Sequence, residues 1–167
     1  VRSVGVQGDS RSYAPVLAID GGARPAATLH AEATEIINRT ASVNRVIASV
    51  AAREPMDAQR VFPSAIARGR LELLRRADAI VRDLCRVSGF DRQVWQFPVV
   101  LIPLGAGECR DSVVLRPIQS TDGMTADSVA MPEELLRQMS AALMALPEIA
   151  GVYYDLTHKP PGTIEWE

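Results

Sequence analysis

The stretch PEELLRQMSAALMALPEIAGVYYDL (residues 132–156) carries the clearest structural pattern in the chain. Its initial proline suits the first turn of a helix, and Leu135, Met139 and Leu143 recur at the spacing of one helical face. The apolar run 149–156 that follows is rich in β-branched and aromatic residues, which favour strands. The stretch therefore predicts a helix that leads directly into a strand.

The same order of elements occurs nearer the start of the chain. Residues 29–41 place Leu29, Ala33 and Ile37 at helical spacing, and the β-branched run 43–50 follows them. The two segments are of similar length. We therefore expect an α+β fold built from two related small units, each a mainly antiparallel sheet packed by helices.

Other elements are predicted from composition and turn residues. Residues 1–20 indicate two strands joined by a Gly-rich turn, and the polar, Pro-containing residues 53–63 indicate a surface connection. The apolar runs 94–104 and 112–118 indicate two further strands. Pro98 places the first of these at a sheet edge or at the start of its strand, because proline cannot donate to a β-ladder.

A long amphipathic helix is expected between these strands. Ser64 offers an N-cap, and the helix should end near Gly89. Arg and Asp side chains occupy its polar face. Its apolar face is predicted to carry Leu71, Leu74, Ala77, Val81, Leu84 and Cys85.

Composition excludes several classes of protein. The chain has 167 residues, 47% of them hydrophobic, which is enough to build a buried core. Its 18 cations face 20 carboxylates, so the net charge of −2 lacks the cationic excess typical of nucleic-acid binding. The longest apolar run, residues 97–106, is too short to cross a membrane. Seventeen of the cations are Arg, and Lys159 is the single Lys.

The chain begins Val-Arg-Ser, without an initiator Met or a signal sequence, which suggests a piece of a longer protein. Cys85 and Cys109 belong to no metal-binding pattern. We interpret both as free thiols of a cytoplasmic protein, and we expect no structural zinc.

Two positions in or near predicted strands are candidates for ligand contact. Asp9 and Arg11 lie in a Gly-Asp-x-Arg turn, which is either an ordinary hairpin turn or a rigid base from which Arg11 binds a phosphate. Gln96 lies in an apolar strand, so its amide either faces solvent or hydrogen-bonds a polar ligand.

Two further candidates lie in loops. STDGMTAD (residues 120–127) does not match the spacing of a calcium loop, so a solvated turn or an interface loop is favoured and no metal is predicted. In KPPGTIEWE (residues 159–167), Lys159 is a point charge suited to a phosphate, and Glu165 can accept hydrogen bonds from a ring N–H or a ribose hydroxyl. Phosphate binding and simple docking of this tail remain equal alternatives.

Nothing in the sequence indicates self-contained catalysis. There is no phosphate-binding loop of the GxxxxGK[ST] type and no SGGxDS loop for releasing pyrophosphate. His30 and His158 have no recognisable nucleophile partner, so solvated histidine is the default for both. No catalytic residue is predicted.

Three stretches together resemble the C-terminal dimerisation domain of GMP synthase, the glutamine-hydrolysing ligase that aminates XMP. They are VRSVGVQGDSRSY (residues 1–13), STDGMTAD (residues 120–127) and YDLTHKPPGTIEWE (residues 154–167). In the short form of the family the first block runs almost directly into the strand before the second. The intervening residues 14–110, with VNRVI, RRADA and WQFPVVLIPL, resemble the inserted dimerisation subdomain of the long, eukaryote-like form.

The resemblance implies two subdomains, one formed by residues 1–13 and 111–167 and the other by residues 14–110. It also implies a homodimer in which the apolar faces of the sheets form the subunit contact. By motif position, it implies that XMP is contacted by Asp9, Arg11, Gln96, Lys159 and Glu165, with a main-chain contribution from Ile164.

The resemblance further implies partners outside these residues. A complete GMP synthase has a glutaminase domain with a Cys-His-Glu triad and an ATP-pyrophosphatase domain, which uses ATP and Mg²⁺. These would act in cis or in trans, and the present segment would need no cofactor of its own. The alternative is a free-standing assembly module that associates with a separate catalytic chain and has no nucleotide site.

Overall fold

A computed structural model describes residues 1–7, 10–22, 24–40 and 42–166. Its centre is a six-stranded sheet in the order β1-β2-β3-β10-β7-β5. The six strands are β1 (Arg2–Gln7), β2 (Ser10–Asp20), β3 (Arg45–Ala52), β5 (Val99–Ile102), β7 (Asp111–Leu115) and β10 (Ile149–Asp155). The helices are α1 (Ala26–Arg39), α2 (Arg68–Ser88) and α3 (Glu133–Met144). The predicted α+β class is confirmed.

Short elements connect the main ones. Two-residue strands form two antiparallel pairs, β4 (Arg60–Val61) with β6 (Leu104–Gly105), and β8 (Ile118–Gln119) with β9 (Asp127–Ser128). Single 3₁₀ turns occur at Met56–Ala58 and Phe90–Arg92. The loop 120–126 joins β8 to β9.

The sheet is arranged symmetrically about its centre. β2, α1 and β3 form a β-α-β unit with parallel strands, and β7, α3 and β10 form a second one. β3 and β10 meet antiparallel in the middle, while β1 and β5 add antiparallel edges. The two helix-then-strand segments of the sequence therefore occupy equivalent places. The prediction that each would have its own mainly antiparallel sheet is wrong, because β3 and β10 pair with each other and join both segments in one mixed sheet.

The three helices bury an apolar core against one face of the sheet. α1 contributes Leu29 and Ala33, and α3 contributes Leu135, Met139 and Leu143. The buried side chains of α2 are Leu73, Ala77, Val81 and Cys85, which follow one another at four-residue spacing.

Two details of α2 were predicted wrongly. Leu73 is buried at 3% exposure whereas Leu71 is 43% exposed, so the apolar face differs from the predicted one in the first turns, although Ala77, Val81 and Cys85 are buried as predicted. The helix begins at Arg68 after Ala67, with no side-chain cap, and therefore not at Ser64. Its other end is as expected, because Gly89 has φ +73° and closes the helix in the left-handed conformation.

The strand predicted over residues 94–104 is shorter than expected. β5 begins at Val99, directly after Pro98, and is an edge strand, as a proline at its start requires. Before Pro98 the chain makes an isolated bridge between Gln96 and Ile118. This bridge connects the segment 94–98 to the loop that holds β8.

The second face of the sheet carries a smaller apolar cluster. Ile47, Ile102, Val114 and Tyr153 are buried there, and Trp166 packs against them. The connection 53–63, which is mostly exposed as predicted, reaches this face where the Tyr153 hydroxyl donates to Gln59 Oε1. Half-buried apolar side chains of β2 and β5 surround the cluster.

Arg53, which directly follows β3, caps the end of α3. Its guanidinium donates to three main-chain oxygens at or just beyond the helix C-terminus, those of Met144, Leu146 and Ile149, at 2.8–3.1 Å. The Met144 carbonyl is in the last turn of α3, where carbonyls have no intrahelical partner, while Leu146 follows in the connection to β10 and Ile149 is the first residue of that strand. In the part of the chain that the structure describes, no helix has the length and apolarity needed to span a membrane.

Candidate functional site

The β1–β2 hairpin lies against the segment that contains two consecutive prolines. The Val6 N–H donates to the Pro161 carbonyl at 2.8 Å, and Gly5 forms a bridge with Gly162. Arg11 is exposed and faces Val6 across the hairpin register. The hairpin therefore places Arg11 one strand away from the tail, whereas Asp9 lies outside the described residues.

Lys159 is attached to the loop 120–126 at two points. Its main-chain N–H donates to the Ala126 carbonyl at 2.7 Å, and its own carbonyl accepts from the Ala126 N–H at 3.1 Å. Its ammonium donates to the Gly123 carbonyl at 2.6 Å. Lys159 is half-buried, so its direction is determined by this loop.

Gln96 is exposed, and its main chain bonds to β8, the strand that leads into the same loop. Its carbonyl accepts from the Ile118 N–H at 2.9 Å, while the N–H groups of Trp95 and Gln96 converge on the Ile118 carbonyl. The Trp95 ring lies beside Gly123, where a Cβ would be 3.7 Å from its Cη2 atom. Gln96 and Lys159, 63 positions apart in sequence, thus bracket one loop.

Ile164 joins the two positions through a small apolar cluster. It is 8% exposed and packs with Ile118 and Ala126, which pair with Gln96 and Lys159 respectively. The Ile164 carbonyl accepts from Arg116 Nε at 2.9 Å, so that oxygen is already engaged in the folded chain. The next residue, Glu165, is exposed.

The predicted positions gather at one end of the sheet. β7 and β10 finish there at Leu115 and Asp155, and β3 begins there at Arg45. The tail 157–166 continues from β10 across this end. The structure therefore brings Gln96, Lys159 and Ile164 together around one cluster, with the hairpin of Arg11 beside them.

A cavity of about 700 Å³ opens next to Gln96, between α2 and the segment 94–98. Arg82, Arg86 and three Asp side chains line it together with Trp95 and Gln96. Its lining does not include Lys159 or Glu165, although the structure describes both. The cavity is therefore a neighbour of the predicted site and not its common centre.

A buried ionic network, which the sequence analysis missed, supports the tail. The Asp155 Oδ2 atom accepts from Arg45 Nη1 at 2.5 Å, from Arg116 Nη1 at 2.8 Å and from Trp166 Nε1 at 2.8 Å. The side chains of Arg45, Arg116 and Asp155 are 0% exposed. Charged groups in such a place are tolerated because they are paired and hydrogen-bonded.

The network also binds the main chain of the tail. Arg45 Nη2 and Arg116 Nη2 both donate to the Thr163 carbonyl, at 3.0 and 2.7 Å. The Arg45 guanidinium lies 4.7 Å from the centroid of the Trp166 ring, in cation–π contact. Residues 163–166 are thus fixed by side chains that come from β3 and from the end of β7.

The charges of the network are set by competing effects. Burial by itself would raise the pKa of Asp155, but Arg116 and Arg45 outweigh it and lower that pKa below its ordinary value. Burial lowers the pKa of Arg116, while Asp155 opposes that shift. Each of these charged residues lies within or at the end of a mostly apolar stretch, VNRVI, VVLRP or VYYDL, and that placement was the available signal in the sequence.

The two histidines approach each other, contrary to the expectation that both are solvated. Their ring centroids are 6.2 Å apart, and both rings contact Ser128. His30 Nε2 lies 3.2 Å from the Ser128 hydroxyl, and the main-chain N–H of Ser128 donates to His158 Nδ1. Burial, with a smaller effect of His158, lowers the pKa of His30. The expectation failed because β9 brings Ser128 between two residues that are distant in sequence.

Metal-binding potential is low among the residues that the structure describes. No group of three or more His, Cys, Asp or Glu side chains is arranged there to hold a metal ion. Cys85 and Cys109 are free thiols, and burial raises the pKa of Cys85 to about 11. The side chains that the described site presents are the Lys159 ammonium, the Arg11 guanidinium, the Gln96 amide and the Glu165 carboxylate.

Comparison with known proteins gives consistent matches. The family model described as the GMP synthase C terminal domain matches residues 83–166. A probable glutamine-hydrolysing GMP synthase of Leptospira interrogans is 38% identical over 168 residues, which cover 100% of this chain and 28% of the relative. Glutamine-hydrolysing GMP synthases of Thermobifida fusca and Mycobacterium marinum are 47% and 45% identical over 107 residues, covering 59% of this chain and 20% of each relative.

The chain thus spans about 28% of the length of the relative that it matches over its full extent. The matched family region contains Gln96, Lys159 and the tail that the buried network holds. By its sequence, this chain belongs to the GMP synthase C-terminal domain family.

Proposed function

We propose that this chain is the XMP-binding and dimerisation portion of a GMP synthase. The whole protein would be a glutamine-hydrolysing C–N ligase that aminates XMP to GMP with ATP and glutamine. Its ATP-pyrophosphatase and glutaminase domains would act in cis or in trans, in the cytoplasm. ATP and Mg²⁺ would be used by those domains, while this portion holds the nucleotide.

The observation that carries the proposal is the placement of Lys159. Its ammonium is oriented by the Gly123 carbonyl and lies at the sheet end that also bears Gln96 and the hairpin of Arg11. An ammonium has three N–H donors, so two remain after the bond to Gly123. These two suit the oxygens of a phosphate.

The remaining site residues would divide the nucleotide between them. Arg11 offers a planar guanidinium for the phosphate, and the exposed Gln96 amide can pair with the edge of the base. The carboxylate of Glu165, which is also exposed, would accept from a ring N–H or a ribose hydroxyl. Asp9 completes the proposed set by its place in the Gly-Asp-x-Arg turn, and Ile164 would contribute main-chain atoms. Holding both ends of XMP positions it for chemistry on a separate domain.

We also infer that the chain has the long, eukaryote-like architecture. Residues 14–110 would be an inserted dimerisation subdomain beside the one formed by residues 1–13 and 111–167. The full-length alignment with the Leptospira relative supports this, since it includes residues 14–110. The surface proposed for the subunit contact is the second face of the sheet, where Val16, Ala18 and Val100 are half-buried around the buried Ile47 cluster.

Binding of XMP to this chain tests the proposal. We expect a dimer by light scattering and salt-sensitive binding of XMP in preference to AMP by calorimetry. Lys159→Ala should weaken XMP binding by roughly 10- to 100-fold, the usual effect of losing a hydrogen bond to a charged group. Lys159→Arg would show whether charge alone suffices, because a guanidinium differs from an ammonium in shape.

The matched control is Arg76→Ala, which removes one cation of α2 from an exposed pair with Glu148 and should leave binding unchanged. A chain that stays monomeric at high concentration and binds neither nucleotide would refute the proposal. A dimer that binds XMP no better than AMP would instead support a free-standing assembly module.

A further inference from the structure

The loop 120–126 is closed by its own hydrogen bonds. The Ser120 hydroxyl donates to the Thr125 carbonyl at 2.5 Å and accepts from the Gly123 N–H at 2.9 Å. The Asp122 carboxylate accepts from the Met124 N–H at 2.9 Å. Gly123 has φ +73°, a left-handed conformation that residues with a side chain rarely adopt. The direction of the Gly123 carbonyl is therefore built into the loop.

That carbonyl is the acceptor for the Lys159 ammonium, at 2.6 Å. The main chain of Lys159 pairs with Ala126 at the other end of the loop. Both ends of one long side chain are thus tied to one short turn. A lysine that is ordered before its ligand arrives loses less conformational freedom on binding.

We propose that the loop 120–126 is the positioning element for the Lys159 ammonium, with Ser120 and Gly123 as positioning residues. The Ser120 hydroxyl holds the Gly123 N–H and the Thr125 carbonyl, which lie on either side of the peptide group that carries the Gly123 carbonyl. That carbonyl takes one ammonium N–H, and the other two N–H groups face an incoming phosphate. The inference rests on the proposed XMP site. It gives the STDGMTAD motif a role in binding without direct contact to the nucleotide.

Two pairs of variants separate this role from general stability. Ser120→Ala removes both hydroxyl bonds, whereas Ser120→Thr keeps the hydroxyl. Gly123→Ala has room, since its Cβ would be 3.7 Å from Trp95, but is disfavoured by its positive φ. Gly107→Ala is the matched control, because Gly107 has φ +59°, nothing within 4 Å of an added Cβ, and a place in the turn between Ala106 and Cys109.

Lys159 is the single Lys of the chain, which gives a direct readout. Trace acylation of amines, followed by mass spectrometry of the peptides, measures the reactivity of Lys159 against that of an added lysine-containing peptide as reference. We expect Ser120→Ala and Gly123→Ala to raise the acylation rate of Lys159 several-fold. Ser120→Thr and Gly107→Ala should retain the wild-type rate.

Calorimetry with XMP completes the test. The two loop variants should weaken XMP binding about three- to tenfold, the factor expected for re-ordering one long side chain. The two controls should stay within about twofold, and thermal unfolding should show similar losses of stability for Gly123→Ala and Gly107→Ala, which share the same backbone penalty.

Each result decides between distinct conclusions. If Ser120→Ala and Gly123→Ala both keep the wild-type acylation rate, the loop does not order the Lys159 ammonium and the proposal is refuted. Raised acylation with unchanged XMP affinity would refute its role in binding. Failure of the wild-type chain to bind XMP would overturn the proposed function, and with it the role of the loop in XMP binding. The acylation rates are measured without nucleotide. They therefore test whether the loop orders Lys159 even if the wild-type chain does not bind XMP.

Discussion

Replacing Asp155 by Asn should destabilise the chain severely, because every group around this carboxylate is a donor. Oδ2 accepts from Arg45, Arg116 and Trp166, and Oδ1 accepts from the Thr157 N–H at 3.0 Å. Asn has the same shape but carries an NH₂ group in place of one oxygen. In either orientation the amide would point its own hydrogens at a donor.

The expected loss follows from burial. Both guanidinium groups and the carboxylate are 0% exposed, so Asp155→Asn leaves two buried cations without a counter-charge. Removing one partner of a buried ionic pair typically costs about 3–5 kcal/mol. For a domain of this size, that corresponds to a fall in melting temperature of roughly 6–20 °C. Since native domains are stable by about 5–15 kcal/mol, the variant should be close to unfolding.

Urea unfolding followed by tryptophan fluorescence and circular dichroism measures the loss. The control is Glu148→Gln, which breaks an exposed pair with Arg76 and should cost under about 1 kcal/mol. Should Asp155→Asn not fold, Trp166→Phe removes one donor from the same oxygen and should cost about 1.5–3 kcal/mol. Losses below 1 kcal/mol in both variants would refute the reasoning.

Acidification provides a second readout of the same network. The folded-state pKa of Asp155 lies below its ordinary value, so the contribution of its charge is present at neutral pH. This contribution to stability begins to be lost when the pH falls below about 4, the ordinary pKa of an aspartate. The loss continues as the pH falls through the lower pKa of Asp155 in the folded chain. The Asp155→Asn variant should therefore show a shallower loss of stability over this acidic range than the wild-type chain.

Two further outcomes are expected. Because burial lowers the pKa of His30, the unfolded chain binds more protons than the folded chain just below pH 6.5. The urea midpoint should therefore fall as the pH drops from 7 to 5.5. His30→Gln should flatten this slope, and an unchanged slope in the variant would show that His30 is not the group responsible. Arg53→Ala should cost about 1–3 kcal/mol in urea unfolding, because it uncovers carbonyls at the end of α3. Arg86→Ala, which loses an exposed pair with Asp83, is the control, and an equal effect of both variants would exclude the capping role.

The elements that could be predicted from sequence are those determined by local pattern. Helix α3 and strand β10 were predicted correctly because the apolar residues of α3 recur at the helical period and those of β10 form one continuous run. The apolar face of α2 was harder, since Leu71, Leu73 and Leu74 all lie in its first turns and more than one of them fits a helical stripe. Packing against the sheet selects Leu73, and packing is not visible in the sequence alone.

For the candidate site, too, single residues could be predicted from the sequence but their contacts in the fold could not. Lys159 and Gln96 could be singled out by residue type and by resemblance, but their common neighbour could not. They meet because Ile118 and Ala126, at the two ends of one loop, bridge to them. The ionic support of the tail was missed because Arg45 and Asp155 become partners through the pairing of β3 with β10, which is a long-range contact.

The central position of β10 bears on how the chain folds. β10 lies between β3 and β7, so it completes the sheet by joining the strands made earliest to those made later. Its pairing with β3 closes a loop of about a hundred residues, and contacts so distant in sequence form slowly. Until β10 inserts, β3 and β7 each present an unpaired edge, the kind of surface that recruits strands from other molecules. Late insertion of one central strand is therefore the step at which this chain is most exposed to aggregation.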